Sequence, residues 1–319
     1  MPPRNTSAAF LKKEIFMSKL IKPKRLSYGD TIGIVAPSYA ISEAGMLPRI
    51  RILNELGFKV KCSKNLYSVT NTFSGSVEER AEDFNDMLAD DEVDMIFFGG
   101  GEVGNEIIPY INYELFRQKP KIVCSYSDGT TVLNALNSTS GVVTFYGISP
   151  AAFSNISLYN WRSFESRLIE PSLVHKKSGD WRTITPGACE GILIGGYLEN
   201  FAALQGLPYY SIDKSEKHIL FIEDHEKFSP PAMVSKWFAN LEHRGVFETV
   251  TGLIFGHFAT KEYPEIDAIL RRIGEKYGVP VVRCEDFGHG TYQSVFPLGV
   301  RARFDTEKND FEFLELGVE

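Results

Sequence analysis

Apolar positions in this chain fall into short β-rich runs that alternate with stretches of helical period. Thr31–Val35 (TIGIV) reads as a buried strand, followed by the turn Ala36-Pro37-Ser38 and a helix over 46–56 that Gly57 ends. Residues 58–62 form the next strand. Ser76-x-x-Glu79 is a capping box, in which each side chain accepts a backbone N–H that the first helical turn leaves unpaired, ahead of an amphipathic helix over 80–88. A strand over 93–98 runs into Gly99-Gly100-Gly101, and 107–116 is partly helical. A strand over 121–124, a helix opening at 130–136 and a strand over 142–146 close the series. Strands this continuously apolar, in βαβα order, fit a parallel sheet covered on both faces.

The rhythm lapses over 149–187, which is rich in Ser, Pro and Trp and reads as a crossover. It resumes with Gly191-Ile192-Leu193-Ile194-Gly195-Gly196 and the helix-like Leu198–Leu204. Strands follow at 218–222, 252–255 and 279–283, separated by helices over 234–243 and 265–277, with strand-like pieces at 299–304 and 311–316. The expected architecture is α/β in two parts. A basic leader over 1–25 precedes an N-terminal parallel-sheet domain over 26–150, then a linker over 151–186 and a C-terminal domain over 187–319.

Composition narrows the class further. Apolar residues make up 43% and charged residues 24% of the 319 positions, the mix of a globular protein, which excludes disorder, collagen-like repeats and a disulfide-stapled miniature. No apolar run approaches the ~18–20 residues of a membrane helix. Cys62, Cys124, Cys189 and Cys284 are scattered without a CxxC pair, as structural thiols of a reducing, cytoplasmic compartment would be. The net charge of −7 is uneven: residues 1–25 carry seven basic side chains and one acid, the remainder 27 basic and 40 acidic. An acidic body with no Lys/Arg stripe repels phosphate backbones, so no nucleic-acid partner is expected. The leader lacks the apolar core of a secretory signal, has a weak likeness to a transit peptide and offers Met17 as an internal start. It reads as disordered and without a part in catalysis.

Ligands of open α/β sheets gather at loops leaving the carboxyl ends of strands, and four such ends carry reactive groups. After 93–98, Gly99, Gly101 and Gly104 satisfy G-x-G-x-x-G, with Asp128 near the acidic position of a dinucleotide fingerprint. That fingerprint belongs on the first βα turn, which here is Ala36-Pro37-Ser38-Tyr39. The same glycines also make a tight turn that offers backbone N–H groups to an oxyanion. After 121–124, Ser127 in Ser125-Tyr126-Ser127-Asp128-Gly129 stands at a sharp strand-to-helix turn, as a nucleophile or as a helix N-cap. After 218–222 comes Glu223-Asp224-His225-Glu226, acids that orient a base or simply cap a helix. Past 279–283 comes Phe287-Gly288-His289-Gly290. His257 is a rival histidine whose replacement is expected to cost stability rather than chemistry. Together these strand ends supply a serine, a carboxylate and an imidazole, the residue types that acyl transfer needs as nucleophile, orienting acid and base, though spacing alone does not bring them together.

These residues resemble the LD-carboxypeptidase family of serine peptidases, which includes the microcin C self-immunity peptidases, over about 26–316. The resemblance rests on Ile32-Gly33-Ile34-Val35-Ala36-Pro37-Ser38, Gly100-Gly101, Tyr126-Ser127-Asp128, Glu190-Gly191-x-Leu193-Ile194-Gly195-Gly196, Glu223-Asp224, and Phe287-Gly288-His289 followed by Pro297-x-Gly299. It implies an N-terminal domain like class I glutamine amidotransferases, a C-terminal domain of swivelling β/β/α type, and an active site between them. It also implies Ser127 as nucleophile, Glu223 as its carboxylate and His289 as base. The oxyanion hole would use the backbone N–H of Asp128 and one from Gly100 or Gly101. Glu102, Tyr197 and Glu199 are candidate substrate contacts. Members of the family need no metal or nucleotide cofactor and commonly form homodimers. They act on cytoplasmic peptides, releasing a terminal D-amino acid from a murein tetrapeptide through an L,D bond, while the immunity branch cleaves a peptidyl or aminoacyl nucleotide.

The segment 101–113 and Phe145-Tyr146-Gly147 look closer to the immunity branch. Gly99 stands where the general carboxypeptidase pattern has Arg, Ser125 where the elbow usually has Gly, and Tyr197 where Asn usually follows the glycine pair. Two other readings differ in class. One is a nucleotide-binding oxidoreductase or binding module built on the loop from Gly99 to Gly104, and the other is an inactive relative that keeps the fold.

Overall fold

The computed structural model describes residues 20–101 and 103–319. Most of the basic leader, with Met17, and the candidate contact Glu102 lie outside the described residues. The end of that leader behaves differently from expectation. Ile21 bridges Val142, and Arg25 and Glu319 exchange backbone contacts with the opposite chain end through Arg25 N–H to Glu319 O and Glu319 N–H to Pro23 O. The apolar Leu20-Ile21 pair gives these residues something to bury, which a count of basic side chains does not register.

Strands β1 (Thr31–Val35), β2 (Lys59–Cys62), β3 (Met95–Phe98), β4 (Ile122–Ser125) and β5 (Thr144–Tyr146) form a parallel sheet in the order β5-β4-β3-β1-β2. Helices α1 (Glu43–Glu55), α2 (Val77–Ala89), α3 (Tyr113–Gln118) and α4 (Thr130–Ser140) alternate with them. The capping box forms as read: Ser76 Oγ accepts from the Glu79 N–H while the Glu79 carboxylate accepts from the Ser76 N–H. Pro109 interrupts the stretch 107–116, leaving a tight turn over Gly104–Tyr110 before α3, which Asn112 caps. β3 and β4 are buried at every position. From β1 the chain runs outward to β2 and then back across to β3, so the order reverses between β1 and β3. In open α/β sheets, loops from neighbouring strand ends part at such a reversal.

After α5 (Leu158–Phe164), a second sheet collects β6 (Arg182–Thr185), β7 (Ala188–Tyr197), β8 (His218–Glu223), β9 (Val250–Phe255), β10 (Val281–Arg283), β12 (Arg301–Asp305) and β13 (Asp310–Phe313), in the order β13-β12-β7-β8-β9-β10-β6. β7 to β10 are parallel and the flanking pairs antiparallel. Helices α6 (Leu198–Leu204), α7 (Pro231–His243) and α8 (Pro264–Tyr277) cover it. Ile266, Leu270 and Ile273 of α8 are buried at helical spacing.

Two strands sit outside the stretches the periodicity assigned them. β6 belongs to the second sheet although it lies in the expected linker. β11 (Phe296–Leu298), deep in the C-terminal stretch, pairs antiparallel with β5 and completes the edge of the first sheet. Pro297 is tolerated because an edge strand can leave one N–H side unpaired. Strand partnership across so many residues is a tertiary outcome that local alternation does not encode. α4 lies where the sheets meet: Asn134 donates to Gly195 O at 2.9 Å and Asn137 to Leu298 O at 3.3 Å.

Candidate active site

Ser127 stands past the end of β4 with only Tyr126 between, at φ +54°, in a left-handed conformation that few non-glycine residues adopt and that usually marks a constrained functional turn. Tyr126 before it is extended and α4 begins at Thr130, so the turn is a sharp elbow and Ser127 is not the N-cap of α4. Ser125, in place of the usual Gly, is accommodated by Gly129. A Cβ at Gly129 would stand 2.3 Å from Ser125 Oγ.

The side chains expected to meet do so. Ser127 Oγ donates to His289 Nε2 at 2.9 Å, and His289 Nδ1 donates to Glu223 Oε2 at 2.9 Å. This sets the tautomer, with the proton on Nδ1 and the lone pair on Nε2 facing the serine. Glu223 ends β8 and is fully buried, whereas the His289 side chain keeps 16% of its surface exposed. Gly288, at φ +109°, allows the histidine loop to close on the carboxylate, since a Cβ there would lie 2.9 Å from Glu223 Oε2. Burial lowers the His289 imidazolium, but the charge and hydrogen bond of Glu223 outweigh it and hold the pKa above the ordinary value.

Asp286, three residues before His289, is fully buried and fixes that loop. It accepts from Ser178 N–H (2.9 Å), Ser178 Oγ (2.5 Å) and Trp181 Nε1 (3.0 Å), and pairs with His175 Nε2 (2.7 Å). The stretch read as a linker therefore braces the base. Tyr146 was likewise not singled out as a site residue by sequence. Its hydroxyl donates to Glu223 Oε1 at 2.5 Å and accepts from the Ser127 N–H at 3.1 Å. Asp286 lies just before Phe287-Gly288-His289 and Tyr146 within Phe145-Tyr146-Gly147, but neither position shows in the sequence what its side chain meets.

The glycine loop is occupied by protein acceptors. Asp128 takes the Gly104 N–H at 2.7 Å and the Asn200 side-chain amide at 3.2 Å, and Ser38 Oγ takes the Val103 N–H at 2.8 Å. A Cβ at Gly101 would stand 2.9 Å from Asp128 Cβ. The G-x-G-x-x-G spacing thus lets the loop close on a carboxylate, a negative group where a dinucleotide phosphate would need donors. Gly100 adjoins Tyr39 O, and a Cβ at Gly99 would stand 2.4 Å from Ile41 Cδ1.

Of the remaining candidates, Tyr197 flanks the histidine. Tyr197 ends β7 opposite Glu223, with its ring centroid 5.1 Å from that of His289; Tyr126 lies at 5.3 Å and His225 at 5.5 Å. Glu199 is half-buried in the first turn of α6. His257 is buried, pairs with Glu285 and stands 6.3 Å from the His225 ring, one ring removed from His289.

Asp224 adds an ionisation of its own. Burial, and then the Glu223 charge, push its carboxyl up to about 7 despite the bond from the His225 N–H. The folded protein therefore holds this proton more tightly than the unfolded chain. The resulting stabilisation is complete below the unfolded value of 3.8 and is lost as pH rises through about 7. Asp224→Asn is expected to be the more stable protein above pH 7, by at most ~4 kcal/mol, and to converge with wild type in acid. Thermal or denaturant melts between pH 4 and pH 8 read this, and a difference that does not change with pH would contradict the assignment.

Comparison with known proteins shows the family. Residues 32–147 match the LD-carboxypeptidase N-terminal domain and residues 190–304 the LD-carboxypeptidase C-terminal domain. A Vibrio cholerae protein named as a carboxypeptidase is 31% identical over 92% of this chain and 97% of its own length. A Bacillus subtilis protein named as a murein peptide carboxypeptidase is 29% identical over 93% of this chain and 95% of its own. The microcin C7 self-immunity protein MccF of Escherichia coli is 25% identical over 91% of this chain and 94% of its own. The wild-type apo structure of MccF shares the fold, with a TM-score of 0.83 and 24% identity over 94% of this chain and 100% of that one, and MccF has also been solved with aspartyl sulfamoyl adenosine. The chain belongs to the LD-carboxypeptidase family and is a serine-type peptidase. Among the described residues no helix is long and apolar enough to cross a membrane.

Proposed function

We propose that this chain is a serine carboxypeptidase and amidohydrolase that cleaves an amide bond in a small peptide through the triad Ser127, His289 and Glu223 and an acyl-enzyme on Ser127. The observation that carries the reading is the unbroken hydrogen-bonded line from Ser127 Oγ through His289 to Glu223, ending on a serine in a left-handed elbow. Ser127 Oγ attacks the scissile carbonyl and gives its proton to His289 Nε2. The imidazolium then protonates the departing amine, leaving an ester on Ser127. Water, deprotonated by His289, hydrolyses the ester. Glu223 holds the tautomer and stabilises the imidazolium without taking the proton. The developing oxyanion would be met by the backbone N–H of Asp128 and one from Gly100 or Gly101, and Tyr197 and Glu199 would face the substrate. These steps call on no metal or nucleotide cofactor.

The substrate class follows from the relatives. A murein tetrapeptide losing its terminal D-amino acid across an L,D bond, and a microcin C-like peptidyl or aminoacyl nucleotide, both present an amide to such a serine. Four unpaired thiols support a cytoplasmic setting, where both substrates would be met. Incubation with a murein tetrapeptide and, separately, with an aminoacyl sulfamoyl adenosine, followed by mass spectrometry of the products, tests this. Release of the terminal D-amino acid from the first, or of the amino acid from the second, is expected; cleavage of neither would overturn the reading.

A further inference from the structure

We propose that the Tyr146 hydroxyl is a positioning group of the active site, holding Glu223 against His289 and pinning the Ser127 elbow with the same oxygen. This rests on the reading of Ser127, His289 and Glu223 as a triad. Glu223 has two oxygens and a use for each: Oε2 takes the His289 Nδ1–H and Oε1 takes the Tyr146 O–H. The hydroxyl's own acceptor site is filled by the Ser127 N–H. One phenol at the end of β5 therefore joins the nucleophile's backbone, in the first sheet, to the carboxylate at the end of β8, in the second.

The phenol is built in rigidly. Tyr146 is fully buried, and its ring meets Phe221 edge-on with centroids 5.8 Å apart. Gly196, at φ +124°, lets β7 press against it, because a Cβ there would stand 3.1 Å from Tyr146 Cδ2. Burial, and then the Glu223 charge, push the phenol far above its ordinary range, so it stays protonated and donates. A hydrogen bond from a fixed neutral donor disperses the carboxylate's charge, limits how strongly Glu223 holds an imidazolium and prevents rotation away from His289. The titratable groups facing His289 are Glu223 and Asp224 at the end of β8, His225 beyond them, Tyr126 at the elbow and Tyr197 at the end of β7.

The test is the rate of covalent labelling by a fluorophosphonate, measured from pH 5 to pH 9 on the full chain. The reagent needs no knowledge of the substrate, because Ser127 Oγ displaces fluoride from phosphorus and His289 takes the serine proton. In Tyr146→Phe the rate is expected to fall about 10-fold or more. The acidic limb of the profile is expected to move to higher pH, since an undispersed Glu223 charge favours the imidazolium. 3-Fluorotyrosine at position 146 keeps the shape and strengthens the donor, so the limb should move to lower pH. Phe221→Leu loosens the ring's packing but keeps the hydroxyl, so it should lower the melting temperature and leave the limb in place. A folded Tyr146→Phe protein with the wild-type rate and limb, an unmoved limb with fluorotyrosine, or a Phe221→Leu protein that reproduces the Tyr146→Phe profile would overturn the proposal. Ser127→Ala run alongside separates the two claims: labelling that survives there overturns the triad itself, whereas labelling lost there leaves Tyr146 to be judged alone.

Discussion

Ser127→Ala is expected to cut turnover of the cleaved peptide by about 10³-fold or more, with KM within a few-fold of wild type and an unchanged melting temperature. The geometry explains the size of the effect. No other hydroxyl occupies the 2.9 Å hydrogen bond to His289 Nε2, so the variant must rely on direct attack by water with only the oxyanion donors to help. Stability should be indifferent because the hydroxyl is not a helix cap: α4 begins at Thr130 without a side-chain cap. Steady-state kinetics with the substrate that wild type cleaves, together with a thermal melt, measure both. Activity near wild type would transfer the chemistry to another residue. It would also reopen the glycine loop as a nucleotide site, for which saturable dinucleotide binding and dependence on Gly101 are the marks.

Glu223→Gln is the second large effect, a fall in kcat of about 10³–10⁴-fold. The substitution keeps the volume but presents an amide to two groups that both donate, His289 Nδ1–H and the Tyr146 hydroxyl. The amide oxygen can satisfy only one of them. If it faces Tyr146, the amide nitrogen drives His289 to the tautomer with its proton on Nε2, and the ring can no longer accept from Ser127. If it faces His289, the ring keeps its tautomer but loses the charge that stabilises its protonated form. The first arrangement removes the base and the second weakens it. Loss of the carboxylate should also bring down the acidic limb of whatever activity remains, because Glu223 is what holds His289 above its ordinary value. A variant within about 10-fold of wild type would contradict the role given to Glu223.

The candidate site was largely legible in the sequence because apolar runs stop abruptly at the strand ends carrying Ser125-Tyr126-Ser127 and Glu223-Asp224, and Phe287-Gly288-His289 follows a few residues past another strand. Continuous apolar strands likewise announced both sheets. Less legible were features that exist only after folding. β11 joins the far sheet because Phe296 pairs with Tyr146, and no local pattern specifies that partner. Asp286 has no assigned part in the sequence, and gains one only when Ser178, Trp181 and His175 close over it. Tyr146 stands out in the sequence only as part of Phe145-Tyr146-Gly147, and its hydroxyl gains meaning only from Glu223 arriving out of the second sheet. The G-x-G-x-x-G spacing left two readings open, a dinucleotide loop and a tight turn, and the loop it describes closes on Asp128.

The central claim, that Ser127 is the nucleophile, is tested most directly by mapping the covalent adduct formed with a fluorophosphonate by peptide mass spectrometry. The predicted result is a single adduct on the peptide carrying Ser127, absent from Ser127→Ala and formed much more slowly by Glu223→Gln. An adduct on a different residue, or undiminished labelling of Ser127→Ala, would contradict it.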